Sequence, residues 1–359
     1  MQDHAPVKPP KQEQERASEE VTELAPGVLR SQLPIDMPGL GHVNCYILED
    51  ERGVAIVDPG MPEQASYDAI EARLKSIGVP LSRVHTVIIT HSHPDHFGGA
   101  RWVREHSGAD VVTHRWFHVG WDAADAIPDL DAEELAALAD RPWGATRPWD
   151  APPWGGDPLE FGAGGPDVPS RERVREFLRF AQPSIRLRDT EPIRLAGREW
   201  FAVHTPGHTD DHLCLFDPTE GLMLSGDHVL PTITPHISGV AHDADPLARF
   251  FDSLDKVAAF GPQVNLALPA HGHPFPDLAG RANAIKEHHV GRLQRLRDAS
   301  TELGRPATVP EMSTHLFSAR AQGRMADSET FAHLEHLRAI GEMDRHEDAD
   351  GYFRYVLTG

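Results

Sequence analysis

The chain has little cysteine and no long apolar run. Only two cysteines occur among 359 residues, Cys45 and Cys214, so disulfides cannot staple the fold. Each lies in a strand-like apolar run, where a small buried core residue is expected. No run of about 18 apolar residues is present, which argues against a membrane-spanning helix. The first twenty residues lack an apolar secretory segment. We therefore expect a cytoplasmic protein with no membrane partner.

Basic residues are also scarce. There are 34 Lys and Arg against 55 Asp and Glu, which gives a formal net charge of −21. Nucleic-acid binders usually carry a basic patch, so this balance argues against a nucleic-acid partner. Residues 1–20 are polar, contain proline and have few bulky apolar side chains. We expect them to form a disordered or loosely attached leader.

Strand and helix signals alternate over residues 21–286. Strand-like runs such as HVNCYILED and GVAIVDPG precede an amphipathic helix, and the same rhythm returns after residue 192. This alternation in two successive halves predicts an α/β sandwich. Residues 115–192 interrupt it with a Trp-, Pro- and Gly-rich insertion, for which we predict a lid over a substrate. Simple packing of the insertion is the alternative. The tryptophans assigned to the lid are Trp116, Trp121, Trp143, Trp149 and Trp154.

The tail, residues 287–359, begins within a long helix. Two shorter helical patterns and a hairpin ending in GYFRYVL follow. This order predicts a small winged-helix-like domain.

The most specific signal is HSHPDH, residues 91–96, directly after a buried strand. Side chains at alternate positions of an extended segment point the same way, so His91 and His93 can face one site. Three more candidates follow predicted strands: His208 in HTPGHTDDH, Asp227 in LSGDHVL and His271 in LPAHGHP. Imidazole nitrogen and carboxylate oxygen are both good zinc ligands. Convergence of these loops predicts a metal site.

With these motifs in order, the chain resembles the metallo-β-lactamase superfamily from about Val21 to Lys286. The resemblance implies an αββα sandwich that holds two Zn²⁺ per chain, with Fe or Mn as alternatives. The ligands that it implies are His91, His93 and His208 for the first zinc, and Asp95, His96 and His271 for the second, with Asp227 as the bridge.

Two further residues are expected behind the ligands. Asp58 in VDPG matches the aspartate of a family motif and would support the ligands by hydrogen bonding, although a plain turn aspartate is the alternative. His212 would serve in the same way or contact the substrate, with an ordinary polar role as the alternative.

Two metals about 3.5–4 Å apart can share a hydroxide and aim it at a carbonyl carbon. Asp95 is the expected catalytic residue: it would orient the nucleophile and pass a proton to the departing atom. The expected function is hydrolysis of an ester, thioester or lactone bond in a small organic substrate.

Alternative functions remain open because a fold and its metals do not decide the substrate. An endoribonuclease is one, since the tail and the HTDDH segment resemble the beta-lactamase-like protein 2 group. Acidic side chains in the predicted wing argue against it, namely those of Asp344, Glu347, Asp348 and Asp350. A β-lactamase-like amide hydrolase and a non-catalytic binding protein are the others. A homodimer through the insertion or the tail is a further hypothesis.

Overall fold

The computed structural model of the chain describes residues 11–37, 39–119, 152–155, 179–240 and 243–358. Strands within these ranges form two large sheets and a small third one. Helices cover the outer faces of the two large sheets. This arrangement confirms the predicted αββα sandwich.

The first sheet has its strands in chain order, antiparallel up to β4 and parallel from β4 to β7. Its strands are β1 Thr22–Ala25, β2 Val28–Met37, β3 Leu40–Asp50, β4 Gly53–Val57, β5 Val84–Ile88, β6 Asp110–His114 and β7 Ile185–Leu187. The parallel part places the carboxyl ends of β4 and β5 side by side.

The second sheet runs in the order β12-β11-β10-β9-β8, and its β11–β12 pair is parallel. Its strands are β8 Pro192–Leu195, β9 Arg198–His204, β10 Leu213–Asp217, β11 Leu222–Gly226 and β12 Leu266–Pro269. The carboxyl ends of β11 and β12 are therefore also neighbours.

Strand β3 shows how the layers are built. Successive side chains of a strand point to opposite faces, so Cys45 and Ile47 pack toward the helices while Tyr46 and Leu48 pack toward the second sheet. Trp200 of β9 lies in the same core between the sheets. Both cysteines are free and buried, as the strand-like runs predicted.

Helices complete the two outer layers. The first sheet carries α1 Gln64–Ser76, α2 Pro94–Phe97 and α3 Ala100–Ser107, and the second carries α4 Pro246–Ala258 and α5 Leu278–Leu303. Single-turn 3-10 helices occur at Gln12–Gln14, Leu81–Arg83 and Gly261–Gln263. Helix α5 continues through the boundary predicted between residues 286 and 287.

The tail packs on α5. Its elements are β13 Ala307–Thr308, α6 Val309–Leu316, α7 Arg324–Ala339, β14 Met343–Glu347 and β15 Phe353–Leu357, in a sheet of order β13-β15-β14. The predicted pair of helices followed by a hairpin is thus present. Every residue of α7 from Ser328 to Leu337 is buried, because this helix packs against α4, α5 and the loop after β11.

Residues 11–20, which we expected to be part of a disordered or loosely attached leader, contact the rest of the chain. The side-chain oxygen of Gln12 accepts a hydrogen bond from the His273 N–H at 3.1 Å. The buried carboxylate of Glu13 accepts one from the Thr232 hydroxyl at 2.7 Å. Polar side chains thus attach this segment to the rest of the chain, which composition does not reveal. Residues 1–10 lie outside the described residues.

Within the part of the chain that the structure describes, no helix is both long and apolar enough to cross a bilayer.

Candidate metal centre

The predicted ligands all follow the carboxyl ends of strands. His91 and His93 lie between β5 and α2, and Asp95 and His96 form the first turn of α2. His208, Asp227 and His271 follow β9, β11 and β12 respectively. Open α/β sheets present their chemistry at this edge. All seven side chains meet there, in two groups of ligand atoms.

The first group joins three histidines and one aspartate. The Nδ1 atom of His93 lies 2.9 Å from Nε2 of His91 and 3.1 Å from Nε2 of His208. Oδ2 of Asp227 lies 3.7 Å from Nε2 of His208. Ligand atoms around one tetrahedral zinc, each about 2.0–2.1 Å from the metal, have separations of this size.

The second group joins Asp95, His96 and His271. Oδ2 of Asp95 lies 3.4 Å from Nε2 of His96 and 3.4 Å from Nε2 of His271. Oδ1 of Asp227 is 3.4 Å from Nε2 of His271. Oδ2 of Asp227, which lies near His208, is also 3.6 Å from Nε2 of His96. The carboxylate of Asp227 therefore lies between the two groups and contacts both, as a bridging carboxylate requires.

In four of the candidate histidine ligands, the Nδ1 atom, which points away from the site, contacts an oxygen atom of a neighbouring residue. Carbonyl oxygens accept from Nδ1 of His208 (His236 oxygen, 2.6 Å) and of His271 (His42 oxygen, 2.8 Å). Carbonyl oxygen only accepts, so each Nδ1 carries a proton and each Nε2 is the nitrogen that is available to a metal.

The carboxylate of Asp58 fixes the Nδ1 atom of His96 in a similar way. Its Oδ2 accepts a hydrogen bond from Nδ1 of His96 at 2.9 Å and from the Thr90 hydroxyl at 2.8 Å. That hydroxyl in turn lies 3.0 Å from Nδ1 of His91. The side chain of Asp58 thus orients two predicted ligands, one directly and one through Thr90, instead of serving only the turn.

Ionisation suits metal binding. Burial, together with His208, lowers the pKa of His93 to about 3, so its imidazole is neutral at neutral pH. Burial alone would raise the pKa of Asp227, but His271 and His96 hold it well below the usual range. Burial alone would lower the pKa of His271, but Asp227 and Asp95 raise it to about 10. A metal at this group would therefore displace protons.

Several buried ligand atoms form no hydrogen bond. Among the described residues, Nε2 of His96, Nε2 of His271 and Oδ1 of Asp227 make no hydrogen bond. Buried polar atoms are nearly always satisfied, and these three converge on one point. Together with the nitrogen and oxygen donor set, they fit a binuclear metal site.

His212 lies behind the bridging aspartate and does not face solvent. Its Nε2 accepts a hydrogen bond from the Asp227 N–H at 3.1 Å, and its Nδ1 lies 2.7 Å from the Thr205 hydroxyl. The side chain is fully buried. The structure therefore favours support of Asp227 over contact with a substrate.

Asp211, which sequence reasoning missed, supports the HSHPDH loop. Its Oδ1 accepts a hydrogen bond from the Ser92 hydroxyl at 3.1 Å, between the ligands His91 and His93. Burial raises the pKa of Asp211 to about 6. Its position in HTDDH was visible, but nothing in the spacing indicated the partner.

A third cluster of donors lies in the tail. His289, Glu329 and His333 are buried and close together. However, the carboxylate of Glu329 already forms an ion pair with Arg292, and a cation so close opposes binding of a second one. We interpret this cluster as a buried polar network.

The lid prediction is wrong for Trp154. Its ring is buried and packs 4.8 Å from the ring of Phe331 on α7, so this tryptophan belongs to the core. Trp116 lies in the half-buried turn after β6, and its carbonyl oxygen accepts a hydrogen bond from His118 Nδ1 at 2.9 Å. Trp121, Trp143 and Trp149 lie outside the described residues.

Comparisons with known proteins agree with this geometry. A model of the metallo-beta-lactamase superfamily matches residues 38–273. The probable metallo-hydrolase YqjP of Bacillus subtilis is 23% identical over 310 residues, which span 84% of this chain and 89% of that protein. The lactamase-like protein vrtG of Penicillium aethiopicum is 29% identical over 306 residues, spanning 83% and 75%. The crystal structure of a metallo-beta-lactamase family protein from Thermus thermophilus aligns with a TM-score of 0.71 and 30% identity, over 94% of this chain and 100% of that one.

Proposed function

Because the chain belongs to the metallo-beta-lactamase superfamily and is a metal-dependent hydrolase, we propose that it holds two zinc ions and cleaves an ester, thioester or lactone bond of a small organic substrate. The main support for this proposal is that Asp227 lies between the two groups of candidate ligands. Its two carboxylate oxygens lie 3.7 Å from Nε2 of His208 and 3.4 Å from Nε2 of His271. One side chain thus connects both groups of ligands.

The proposed ligands divide between the two metals. The first metal would be held by His91, His93 and His208, the second by Asp95, His96 and His271, and Asp227 would bridge them. Two bound metal ions lower the pKa of water and polarise a carbonyl oxygen, so no separate oxyanion site is needed.

Asp95 is the proposed catalytic residue. Its Oδ2 touches both His96 and His271, at 3.4 Å each, while the side chain keeps a small solvent-exposed fraction of 8%. Although burial opposes ionisation, His96 and His271 hold its pKa well below the usual range. In the metal-loaded site the Asp95 carboxylate would orient the attacking water and pass a proton to the departing oxygen or sulfur.

Burial of α7 supports a small substrate. In a winged-helix-like domain, which we propose for the tail, a helix of the helix-turn-helix pair would enter a nucleic-acid groove. Here α7 is covered from Ser328 to Leu337, partly by Trp154. The net charge of −21 also opposes approach of a polyanion.

An endoribonuclease is the second candidate. The order helix, strand, two helices and hairpin in the tail favours it, because related arrangements bind nucleic acids. The exposed acidic hairpin around Asp344 and Glu347 opposes it.

Initial rates on four substrates test the proposal: an acyl thioester, an aryl ester, a single-stranded RNA and a β-lactam. Zinc-loaded wild-type protein is compared with Asp227→Ala and with Asp298→Ala, an exposed aspartate on α5 that serves as the matched control. We expect thioester or ester cleavage by the wild type and the control, and only background cleavage by Asp227→Ala. Cleavage of RNA or β-lactam alone would overturn the assignment of the substrate class.

A further inference from the structure

The loop after β11 connects the metal centre to the tail. The carbonyl oxygen of His236 accepts the hydrogen bond from Nδ1 of His208 at 2.6 Å. This contact fixes the tautomer of His208 and aims its Nε2 at the position 3.1 Å from Nδ1 of His93. The orientation of one ligand therefore depends on the backbone position of residue 236.

Helix α7 holds this backbone in place. The imidazole Nδ1 of His236 lies 3.6 Å from Oε2 of Glu329. Three residues later, the N–H of Gly239 donates to the Ser328 hydroxyl at 3.1 Å. Between them, the side chain of Ile237 is fully buried in the core cluster that contains α7 residues.

The contact at Gly239 leaves no room for a side chain. A Cβ atom there would lie 2.5 Å from the carbonyl oxygen of Ser328 and 2.7 Å from the ring of Phe331. Because the nearest obstacle is backbone, a larger residue must move the loop away from α7. The loop can approach α7 this closely only because residue 239 is glycine.

Glu329 is itself fixed. It is 7% exposed, and its Oε1 is paired with Arg292 of α5. Its backbone carbonyl accepts a hydrogen bond from Nδ1 of His333 at 2.7 Å. With Oε1 engaged by Arg292, Oε2 is left to face His236. A continuous chain of contacts therefore runs from α5 and α7 to a ligand of the first metal.

We propose that Glu329 is a positioning residue, through which the tail sets the orientation of His208 and hence the affinity of the first metal. This inference rests on the proposed metal centre and is independent of the substrate class. Partners that orient a metal-binding histidine typically change metal affinity by about 10–100-fold.

The test compares Glu329→Gln with Glu335→Gln. Glu335 is the matched control because it is a buried carboxylate on the same helix, 1% exposed, that pairs with Arg338 and Arg345. Zn²⁺ affinity is measured by competition with a chromogenic chelator, and Co²⁺ absorption spectra report the geometry of the site. Thermal unfolding of the metal-free proteins reports stability separately.

We expect Glu329→Gln to weaken binding of one Zn²⁺ equivalent by about tenfold and to alter the Co²⁺ spectrum. Glu335→Gln should lower stability yet keep affinity within about twofold. Equal affinities in both variants, or equal losses, would overturn the proposal.

Gly239→Ala provides a second route if Glu329→Gln does not fold. It leaves the Arg292–Glu329 pair intact and displaces the loop, so it should also weaken one Zn²⁺ equivalent and alter the Co²⁺ spectrum. Unchanged affinity in Gly239→Ala would contradict the proposal. A wild type that binds no Zn²⁺ would overturn the metal centre and this inference together. Zinc binding without ester or thioester cleavage would overturn only the substrate class.

Discussion

The carboxylate of Asp58 accepts a hydrogen bond from Nδ1 of His96 at 2.9 Å, across 38 positions of the chain. Asp58 also accepts from the Thr90 N–H at 2.9 Å, so three donors share its two oxygens. Its backbone lies in the left-handed region at φ 56°, a conformation that costs a non-glycine residue about 1–3 kcal/mol. The parallel pairing of β4 with β5 brings this turn to the ligands.

Asp58→Asn should weaken Zn²⁺ binding by about tenfold or more. Asparagine offers one acceptor oxygen to these three donors. Either the Thr90 N–H, or the Thr90 hydroxyl together with Nδ1 of His96, then loses its acceptor, so the support of His96 is weakened. Chelator competition measures the change. Asp50→Asn is the control, since Asp50 pairs instead with Arg52 and His85. Equal Zn²⁺ affinity in the wild type and Asp58→Asn would show that Asp58 is only a turn residue.

Asp211→Asn should alter the pH dependence of stability. Burial raises the pKa of Asp211 to about 6, and its Oδ2 has no hydrogen-bond partner among the described residues. The folded protein therefore prefers the protonated acid, and ionisation costs stability as pH rises from about 4 to above 6. Asparagine carries no such cost and keeps an oxygen for Ser92.

Urea unfolding of the metal-free proteins at pH 5 and pH 7.5 measures this effect. We expect the stability of Asp211→Asn relative to wild type to increase between the two pH values. A difference that does not change with pH would mean that the carboxylate is already ionised throughout this range.

Trp154→Ala should reduce stability by about 3–5 kcal/mol, the usual cost of truncating a buried tryptophan. The ring packs on Phe331 of α7, so its loss leaves a cavity in the core, and KM for the thioester should stay within about twofold. Trp102→Ala is the control: this ring is half-buried, stacks on Tyr67 at 4.9 Å, and should cost less. A raised KM with unchanged stability would restore the lid interpretation.

The candidate ligands could be predicted because their chemistry is in their side chains. His91, His93 and Asp95 sit at fixed spacing after a buried strand, which predicted the candidate site. The sandwich was predicted from the alternation of strands and helices and from the family resemblance. The carbonyl oxygens of His42 and His236, which orient two ligands, could not be predicted, since every residue offers the same backbone group. Their role depends on tertiary packing alone.

The packing partners of several residues could not be predicted from the sequence either. The composition around Trp154 suggested a lid, whereas its neighbour across space, Phe331, is far along the chain. Polar residues 11–20 looked like a loose leader, yet the carboxylate of Glu13 is buried against Thr232. In both cases the deciding contact joins segments whose proximity no local pattern encodes.

The most direct test of the binuclear centre is the number of metal equivalents bound per chain. Metal-free protein is titrated with Zn²⁺, and bound metal is counted after removal of the excess, for the wild type, Asp227→Ala and the control Asp298→Ala. We predict two equivalents for the wild type and the control, and a clear reduction for Asp227→Ala because the bridging carboxylate is gone. One equivalent or none in the wild type, or two tightly bound equivalents in Asp227→Ala, would contradict the binuclear centre.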